Sequence, residues 1–154
     1  MELKTEVQAA EGQQDLLITR EFELPLDLLF KAYVEPNLVE QWMGTKVLKL
    51  ENKRHGSWQF ETTDPSGNKH GFNGTIHEFE PNRKITRTFE MENTSFPVQL
   101  EFLSFDSRSD ERSALSIHII YKSVDVRDQM LKLPFAQGIN GAHDRLQAIM
   151  NQLL

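Results

Sequence analysis

The sequence contains no cysteine among its 154 residues. This absence excludes a disulfide framework, a thiolate metal site and a cysteine nucleophile. Basic residues are also in the minority, since 17 Lys and Arg face 23 Asp and Glu and leave a net charge of -6. A negative surface repels nucleic-acid backbones and anionic lipids over most of the molecule. We therefore expect no nucleic-acid partner.

Long apolar runs are absent as well. No window approaches the apolar length that a membrane-spanning helix requires. The N-terminal stretch MELKTEVQAAEGQQ has neither the basic start nor the apolar core of a signal peptide. These features predict a cytoplasmic protein with no membrane span.

The length of the chain suits one domain with a substantial core and is too short for two ordinary domains. Residues 1–13 are polar apart from a weak alternation, and we expect them to form a flexible N-terminal arm. Residues 14–154 are predicted to form the single domain.

Seven runs alternate between apolar and polar residues with the period of two that is typical of β-strands. The first is DLLITREFE, residues 15–23, and Pro25 ends it. The other six follow from residue 46 onward and are separated by short turns rich in Gly, Pro, Asn, Asp and Ser, which predicts an antiparallel meander. These six runs are KVLKLEN, SWQFETT, GFNGTIHEFE, ITRTFEM, VQLEFLSFD and ALSIHIIYK.

Helical periodicity occurs in two places. PLDLLFKAYVEP and PNLVEQWMG predict two short helices between the first and second strands, with a proline opening the second and Gly44 closing it. In the last thirty residues, apolar side chains recur at intervals of three and four from Leu131 to Leu153 and predict a long C-terminal helix. Pro134 lies inside this pattern, so we expect a kink there or a short helix before the long one.

This order of elements predicts an α+β fold in which a curved seven-stranded antiparallel sheet wraps around the C-terminal helix, a helix-grip architecture. A curved sheet and a straight helix rarely close completely. We therefore expect a cavity between them that is open at one end.

Several stretches resemble the START-like superfamily, also called SRPBCC, and most of all its bacterial branch named for the activator of the ninety-kilodalton heat-shock chaperone's ATPase. The N-terminal motif TREFELPLDLLFKAYVEPNLVEQWMG combines an Arg-x-Phe strand end, a proline turn, an aromatic helix, a Glu-Pro step and Trp-x-Gly. RHGSWQFETTDPSGNKHGFNGTIHEFEPNRKI, SVDVRDQML and GINGAHDRLQAIMNQLL resemble later parts of the family pattern. Thr45, Pro134 and Ile139 depart from it, and the last two alter the helix that lines the cavity.

The architecture, the supply of aromatic residues and this resemblance favour a binding protein that holds a small apolar or amphipathic molecule without catalysis or cofactor. The branch name implies an alternative, a stress-related protein that contacts a chaperone ATPase. Relatives that are cyclases and hydrolases make an enzyme the third hypothesis, but no nucleophile elbow or paired carboxylates appear. We expect a monomer or a weak dimer.

The predicted cavity lining consists mainly of inward-facing strand residues, with contributions from the short helices and the C-terminal helix. Its members are Tyr33, Trp42, Trp58, Phe60, Phe72, Ile76, Arg87, Phe89, Leu100, Phe102, Ile117, Ile119, Tyr121, Phe135, Ile139 and Ala142. Tyr33, Arg87 and Tyr121 are its polar members.

Arg87 shares the parity of Ile85 and Phe89, so its guanidinium is expected at the cavity or its rim. A buried arginine needs an anionic partner. The candidates are Glu78 or Glu61 in a structural ion pair, or a ligand carboxylate or phosphate.

The five histidines form no metal-binding spacing, and we expect all of them to lie at the surface with no metal site. Glu78 is interpreted as a residue that braces a strand edge or loop. Gly138 and Gly141 each cost about 1 kcal/mol relative to alanine in a helix, which indicates close packing or room left for a ligand.

Overall fold

The computed structural model describes residues 3–154, which form one open antiparallel sheet and four helices. The eight strands are β1 Glu6–Gln8, β2 Asp15–Phe22, β3 Lys46–Leu50, β4 Ser57–Thr63, β5 Lys69–Glu80, β6 Lys84–Met91, β7 Gln99–Ser109 and β8 Arg112–Ile120. The helices are α1 Leu26–Val34, α2 Pro36–Met43, α3 Val124–Leu131 and α4 Phe135–Asn151. None of the helices in residues 3–154 combines the length and apolar character needed to cross a membrane.

The strands follow the order β1-β2-β8-β7-β6-β5-β4-β3. From β3 to β8 each strand pairs with the next in sequence, as the short turns predict, and β2 closes the series by pairing with β8. The predicted α+β helix-grip class is confirmed.

The predicted number of seven strands is one too few. The additional strand, β1, lies in the arm predicted for residues 1–13 and pairs Val7 with Ile18 of β2. Met1 and Glu2 lie outside the described residues. The weak alternation at Leu3, Thr5 and Val7 was the only local signal for this strand, because three residues without a tight turn to a partner give little periodicity.

The two short helices depend on each other and on α4. The indole Nε1 of Trp42 in α2 donates to the carbonyl oxygen of Ala32 in α1 over 2.7 Å, and both helices pack against α4. Gly44 ends α2 in the left-handed region at φ 66°, where a side chain would be strained.

The C-terminal region divides at Pro134 into α3 and α4, which confirms the expectation of a short helix before a long one. Ser123 caps α3 by accepting from the backbone N–H of Val126 over 3.2 Å. The α4 helix then crosses the concave face of the sheet and buries Leu146 and Met150 there.

Close packing also fixes one strand glycine. A Cβ on Gly74 of β5 would collide with the carbonyl oxygen of Thr88 and with the indole of Trp58. No larger residue fits there unless the β5 and β6 backbones move apart.

At its two edges the sheet ends on β1 and β3. The β3 strand carries exposed lysines at positions 46 and 49, and its register shifts between Val47 and Lys49. Short or irregular edges with lysines are common where a sheet borders solvent.

Candidate functional site

A cavity of about 370 Å³ lies between the concave face of the sheet and the last two helices. Strands β6, β7 and β8 form one wall, while α3, α4 and the ends of α1 and α2 form the other. Its lining residues are Ile18, Tyr33, Trp42, Met43, Arg87, Phe89, Met91, Gln99, Glu101, Ile117, Ile119, Tyr121, Met130, Phe135, Gly138, Ile139 and Ala142.

Most residues of the predicted lining meet at this cavity. They are Tyr33, Trp42, Arg87, Phe89, Ile117, Ile119, Tyr121, Phe135, Ile139 and Ala142. The strand residues among them alternate along their strands as the period of two predicts. Of the helix residues, Tyr33 lies in α1 and Trp42 in α2, and the others lie in α4.

Four predicted residues lie on the same face of the sheet but outside the cavity lining. Trp58, Phe60 and Phe72 form an aromatic layer behind Phe89, with the Trp58 and Phe60 ring centroids 4.8 Å apart and those of Phe72 and Phe89 5.5 Å apart. Ile76 is buried at the β5 bulge. These side chains therefore belong to the packed core.

The inward orientation predicted for Leu100 and Phe102 is wrong. In β7 the buried positions are Gln99, Glu101, Leu103 and Phe105, so Leu100 and Phe102 project from the opposite face, where the Phe102 ring stacks on His118. Gln99 and Glu101 point inward although they are polar, so the rule that apolar residues mark the inward face gives the wrong face for this part of β7. Leu103 and Phe105 share the parity of Glu101 and were the signal that could have revealed it.

Six further lining residues were not predicted. They are Ile18, Met43, Met91, Gln99, Glu101 and Met130. Ile18 lies on the buried face of β2, and Met91 continues the parity of Arg87 and Phe89. Gly138, which also lines the cavity, stood out in the sequence only because glycine is costly in a helix.

The polar end of the cavity is built on an ion pair between β6 and β7. Arg87 Nε donates to Glu101 Oε1 over 3.0 Å, and the side chains of Arg87 and Glu101 are 14% and 8% exposed. The amide of Gln99 donates to Glu101 Oε2 over 2.8 Å. The Arg87 guanidinium also lies 4.9 Å from the centroid of the Trp58 ring, in a cation–π contact.

Arg87 does form a structural ion pair, but neither Glu78 nor Glu61, the two protein partners proposed from the sequence, is its partner. Glu78 accepts from Thr86 Oγ1 over 2.7 Å and from Lys84 Nζ over 2.9 Å, and Glu61 lies 3.7 Å from Lys69 Nζ. The hydrogen bond from Thr86, more than the one from Lys84, lowers the pKa of Glu78. Its role is to brace neighbouring strands, as interpreted from the sequence.

A hydrogen-bonded chain connects the cavity wall to the N-terminal arm through α4. Tyr33 Oη lies 3.0 Å from His143 Nε2, and His143 Nδ1 lies 2.8 Å from Thr5 Oγ1. Thr5 also donates its backbone N–H to Asn140 Oδ1 over 3.0 Å. Arg20 Nη1 donates to Thr5 Oγ1 and Asn140 Oδ1, both over 3.3 Å.

The expected surface position of His143 is therefore wrong, because its side chain is fully buried. Burial, together with the positive charge of Arg20, lowers the pKa of His143 to about 3. At neutral pH the imidazole is uncharged and uses both nitrogens as hydrogen-bonding partners. His143 has polar neighbours on α4, Asn140 and Asp144. This part of the sequence therefore resembles the solvent-exposed face of a helix.

Tyr121 contributes a different polar group. Its Oη is shielded from solvent and has no hydrogen-bond partner within residues 3–154. Burial raises the pKa of Tyr121, and the nearby negative charge of Glu101 raises it further. Burial likewise raises the pKa of Tyr33. Both phenols are protonated at neutral pH.

The remaining histidines lie away from the cavity. His70 pairs with Asp64 over 2.9 Å and His118 with Asp15 over 2.7 Å, while His55 and His77 contact each other through their rings. In the part of the chain that the structure describes, no three histidine or acidic side chains converge as metal ligands would.

A larger groove, of about 680 Å³, lies between the arm and strands β2, β8 and β7. Charged residues of both signs line it, including Lys4, Glu6, Glu21, Asp106 and Arg108. Such a mixed, water-exposed lining gives an apolar ligand little to bury against. We therefore take the smaller cavity in the concave face as the candidate site.

Comparisons with known proteins agree with this architecture. A protein from Mycobacterium smegmatis, Ms6760, superposes with a TM-score of 0.85 at 21% identity, covering 95% of this chain and 96% of that one. A protein from Rhodobacter sphaeroides gives 0.84 at 20% identity, covering 97% and 100%. A solution structure from Arthrobacter aurescens gives 0.85 at 14% identity, covering 96% and 91%. At these identities the likeness shows the fold alone.

A search of curated proteins finds no significant match. The family model described as "Activator of Hsp90 ATPase homolog 1-like protein" matches residues 23–151, from the end of β2 to the last residue of α4. This match covers most of the chain and nearly every element that surrounds the cavity. The chain therefore belongs to the Activator of Hsp90 ATPase homolog 1-like protein family.

Proposed function

We propose that this protein binds a small apolar or amphipathic molecule in the cavity between the sheet and α4, and does not transform it. The observation that carries the proposal is the lining of the cavity. Apolar side chains from strands and helices surround it, and a few polar groups converge on one part of it. Small-molecule sites in proteins have this composition and occupy a few hundred Å³.

The volume sets the size of the ligand. One water molecule takes up about 30 Å³ of the liquid, so the 370 Å³ cavity has room for roughly twelve groups of that size, each about one heavy atom with its hydrogens. A fused bicyclic hydrocarbon or a chain of about ten carbons with a small polar head has that size.

The titratable groups that line the cavity, and His143 behind its wall, favour binding over catalysis. General acids and bases work best when their pKa lies near the operating pH. The pKa of His143 falls to about 3, and burial raises the pKa of both tyrosines. Glu101 is engaged through both oxygens. The histidine and the two tyrosines are therefore not prepared to exchange protons with a ligand at neutral pH.

The family description supports an alternative, contact with a chaperone ATPase. Such a contact would use the surface of the protein and not the cavity. It predicts that a variant with a filled cavity still binds the chaperone, whereas our proposal predicts that the same variant loses its small molecule.

The test uses naphthalene, which has no polar atom, as a probe of cavity binding followed by methyl NMR shifts of Ile117 and Ile119. Gly138 lines the cavity, and a Cβ added there has no atom within 4 Å. Leucine at this position therefore fits the fold and occupies the ligand's space. We expect Gly138→Leu to weaken naphthalene binding about tenfold or more, since it removes the apolar contact area.

Gly141→Leu is the matched control. It places the same side chain on the same helix, where the nearest atom to an added Cβ is Arg145 Nη1 at 3.8 Å, outside the cavity lining. The affinity of this variant for naphthalene should equal that of the wild type. Equal binding by both variants, or no naphthalene shift in the wild type, would refute the proposal.

A further inference from the structure

We propose that the cavity selects uncharged ligands that carry a hydrogen-bond acceptor, such as an ester or a ketone, over carboxylates of the same size. This inference rests on the proposed function, because it requires that the cavity holds a ligand. It concerns the polar end formed by Arg87, Gln99, Glu101 and Tyr121.

The charge of Arg87 is already balanced inside the protein. Glu101 uses Oε1 for Arg87 Nε and Oε2 for the amide of Gln99, at 3.0 and 2.8 Å. Both side chains of the ion pair are largely buried. A ligand entering the cavity therefore meets a neutral pair and not an isolated cation.

Donors outnumber acceptors at this end. Within residues 3–154, Arg87 forms a hydrogen bond only through Nε, so the N–H groups of its two terminal nitrogens are left without a protein acceptor. The hydroxyl of Tyr121 has no partner either. A carbonyl oxygen of a ligand accepts from such groups, and the buried Tyr121 hydroxyl no longer carries the cost of its desolvation once it gains an acceptor.

A carboxylate would meet the same donors, but at a cost. It would place a second negative charge close to Glu101 with only one cation between them, in a cavity whose other walls are mostly apolar. The net charge of -6 opposes an anion over longer distances. A ligand ammonium would offer no acceptor to these donors. The neutral acceptor alone leaves the ion pair intact.

The experiment compares methyl nonanoate with decanoate, which contain the same numbers of carbon and oxygen atoms and differ in charge. At neutral pH, NMR titrations should show that the wild-type protein binds the ester about tenfold more tightly or better. This comparison needs no variant, so it does not depend on whether a substituted protein folds.

Glu101→Gln then tests the cause. The amide keeps the size and one acceptor oxygen but leaves the charge of Arg87 unbalanced, so we expect decanoate to bind about tenfold more tightly than to the wild type and the ester to change little. Glu111→Gln, an exposed position in the turn between β7 and β8, makes the same change in net charge and should leave both affinities unaltered.

Four outcomes overturn the inference. If decanoate binds the wild type as tightly as the ester, or if Glu101→Gln and Glu111→Gln behave alike, the ion pair does not select charge. If naphthalene binds and neither ten-carbon probe does, the polar end accepts no such head group while the proposed function stands. If no probe binds, naphthalene included, the proposed function fails together with the inference.

Discussion

At the scale of single residues, His143 lies in an environment that strongly disfavours the charged form of its side chain. It is fully buried, hydrogen-bonded at both ring nitrogens and close to the charge of Arg20. Charging this ring in the folded protein would desolvate a cation beside another cation. The native fold therefore requires the neutral imidazole.

This requirement predicts a pH dependence of stability. The pKa of His143 is about 3 in the folded protein and 6.5 in the unfolded chain, so the unfolded chain binds a proton more readily between these values. The free energy of unfolding should fall by about 1.4 kcal/mol for each pH unit below 6.5 from this residue alone. Urea unfolding at a series of pH values measures the slope.

The comparison variant is His143→Gln, which does not titrate. Its free energy of unfolding should be lower than that of the wild type at neutral pH, and the gap should narrow as the pH falls toward 3. Carboxylates with lowered pKa values, such as Asp15 and Asp64, lose stabilising contacts on acidification in both proteins and cancel in the difference. A gap that stays constant with pH would assign the acid sensitivity to other groups.

Residue identity alone predicted part of this chemistry. A charged guanidinium on an apolar strand face requires an anion, and the sequence predicted that need for Arg87. It did not predict Glu101, because the partner is set by the register of β6 against β7, which pairs Arg87 with Glu101. Local sequence patterns do not encode register between strands.

At the scale of elements, β1 is held by side chains as much as by its sheet hydrogen bonds. It pairs with β2 over three residues, and Thr5 just before it bonds to both Asn140 and His143 of α4. The arm thus connects the first edge of the sheet to the helix inside the grip.

Replacing Thr5 with valine should test this connection. Valine keeps the shape and loses the hydroxyl, so the buried His143 Nδ1 loses its partner, while Arg20 Nη1 keeps Asn140 Oδ1 and Asp144 Oδ1 as acceptors. We expect Thr5→Val to lower the free energy of unfolding by about 1–3 kcal/mol. Chemical denaturation measures this change in the free energy of unfolding.

Thr5→Ser keeps the hydroxyl and serves as the control, with a loss expected within about 0.5 kcal/mol. If the valine and serine variants unfold at the same denaturant concentration, the hydroxyl contributes nothing and the arm is held by its backbone alone.

Elements with strong local signals were predicted well. These signals are the tight turns between β3 and β8, the prolines that open the short helices and the break at Pro134. Each of them determines the structure of only a few neighbouring residues. The arm strand was missed because it depends on a distant partner, β2. The parity of β7 was missed because its inward face begins with the polar residues Gln99 and Glu101, although Leu103 and Phe105 on the same face carried a local signal.

At the scale of the whole molecule, filling the cavity should stabilise the fold. A ligand that binds only the native state adds RT ln(1 + [L]/Kd), about 1.4 kcal/mol at ten times Kd. For a chain of this size the melting temperature should rise by roughly 3 to 6 °C with naphthalene at that concentration. Calorimetry of the wild type measures the shift.

Gly138→Leu should show no such shift, because its side chain already occupies the space, whereas Gly141→Leu should respond like the wild type. A melting temperature that rises equally in both variants would mean that naphthalene binds elsewhere.

The class of fold and the presence of a cavity were predicted from the sequence. The volume of the cavity was not, because it depends on how α4 packs against the sheet.

The two borders of the sheet bear on how the protein behaves when concentrated. Within residues 3–154, one border consists of the three residues of β1, and the other, β3, is interrupted by its register shift and carries two exposed lysines. In this part of the chain, a strand from a second molecule finds no long row of free backbone groups at either border, and the lysines of two adjacent β3 strands would repel each other. Fibril growth by edge-to-edge addition is disfavoured at both ends, even though the sheet itself never closes into a barrel.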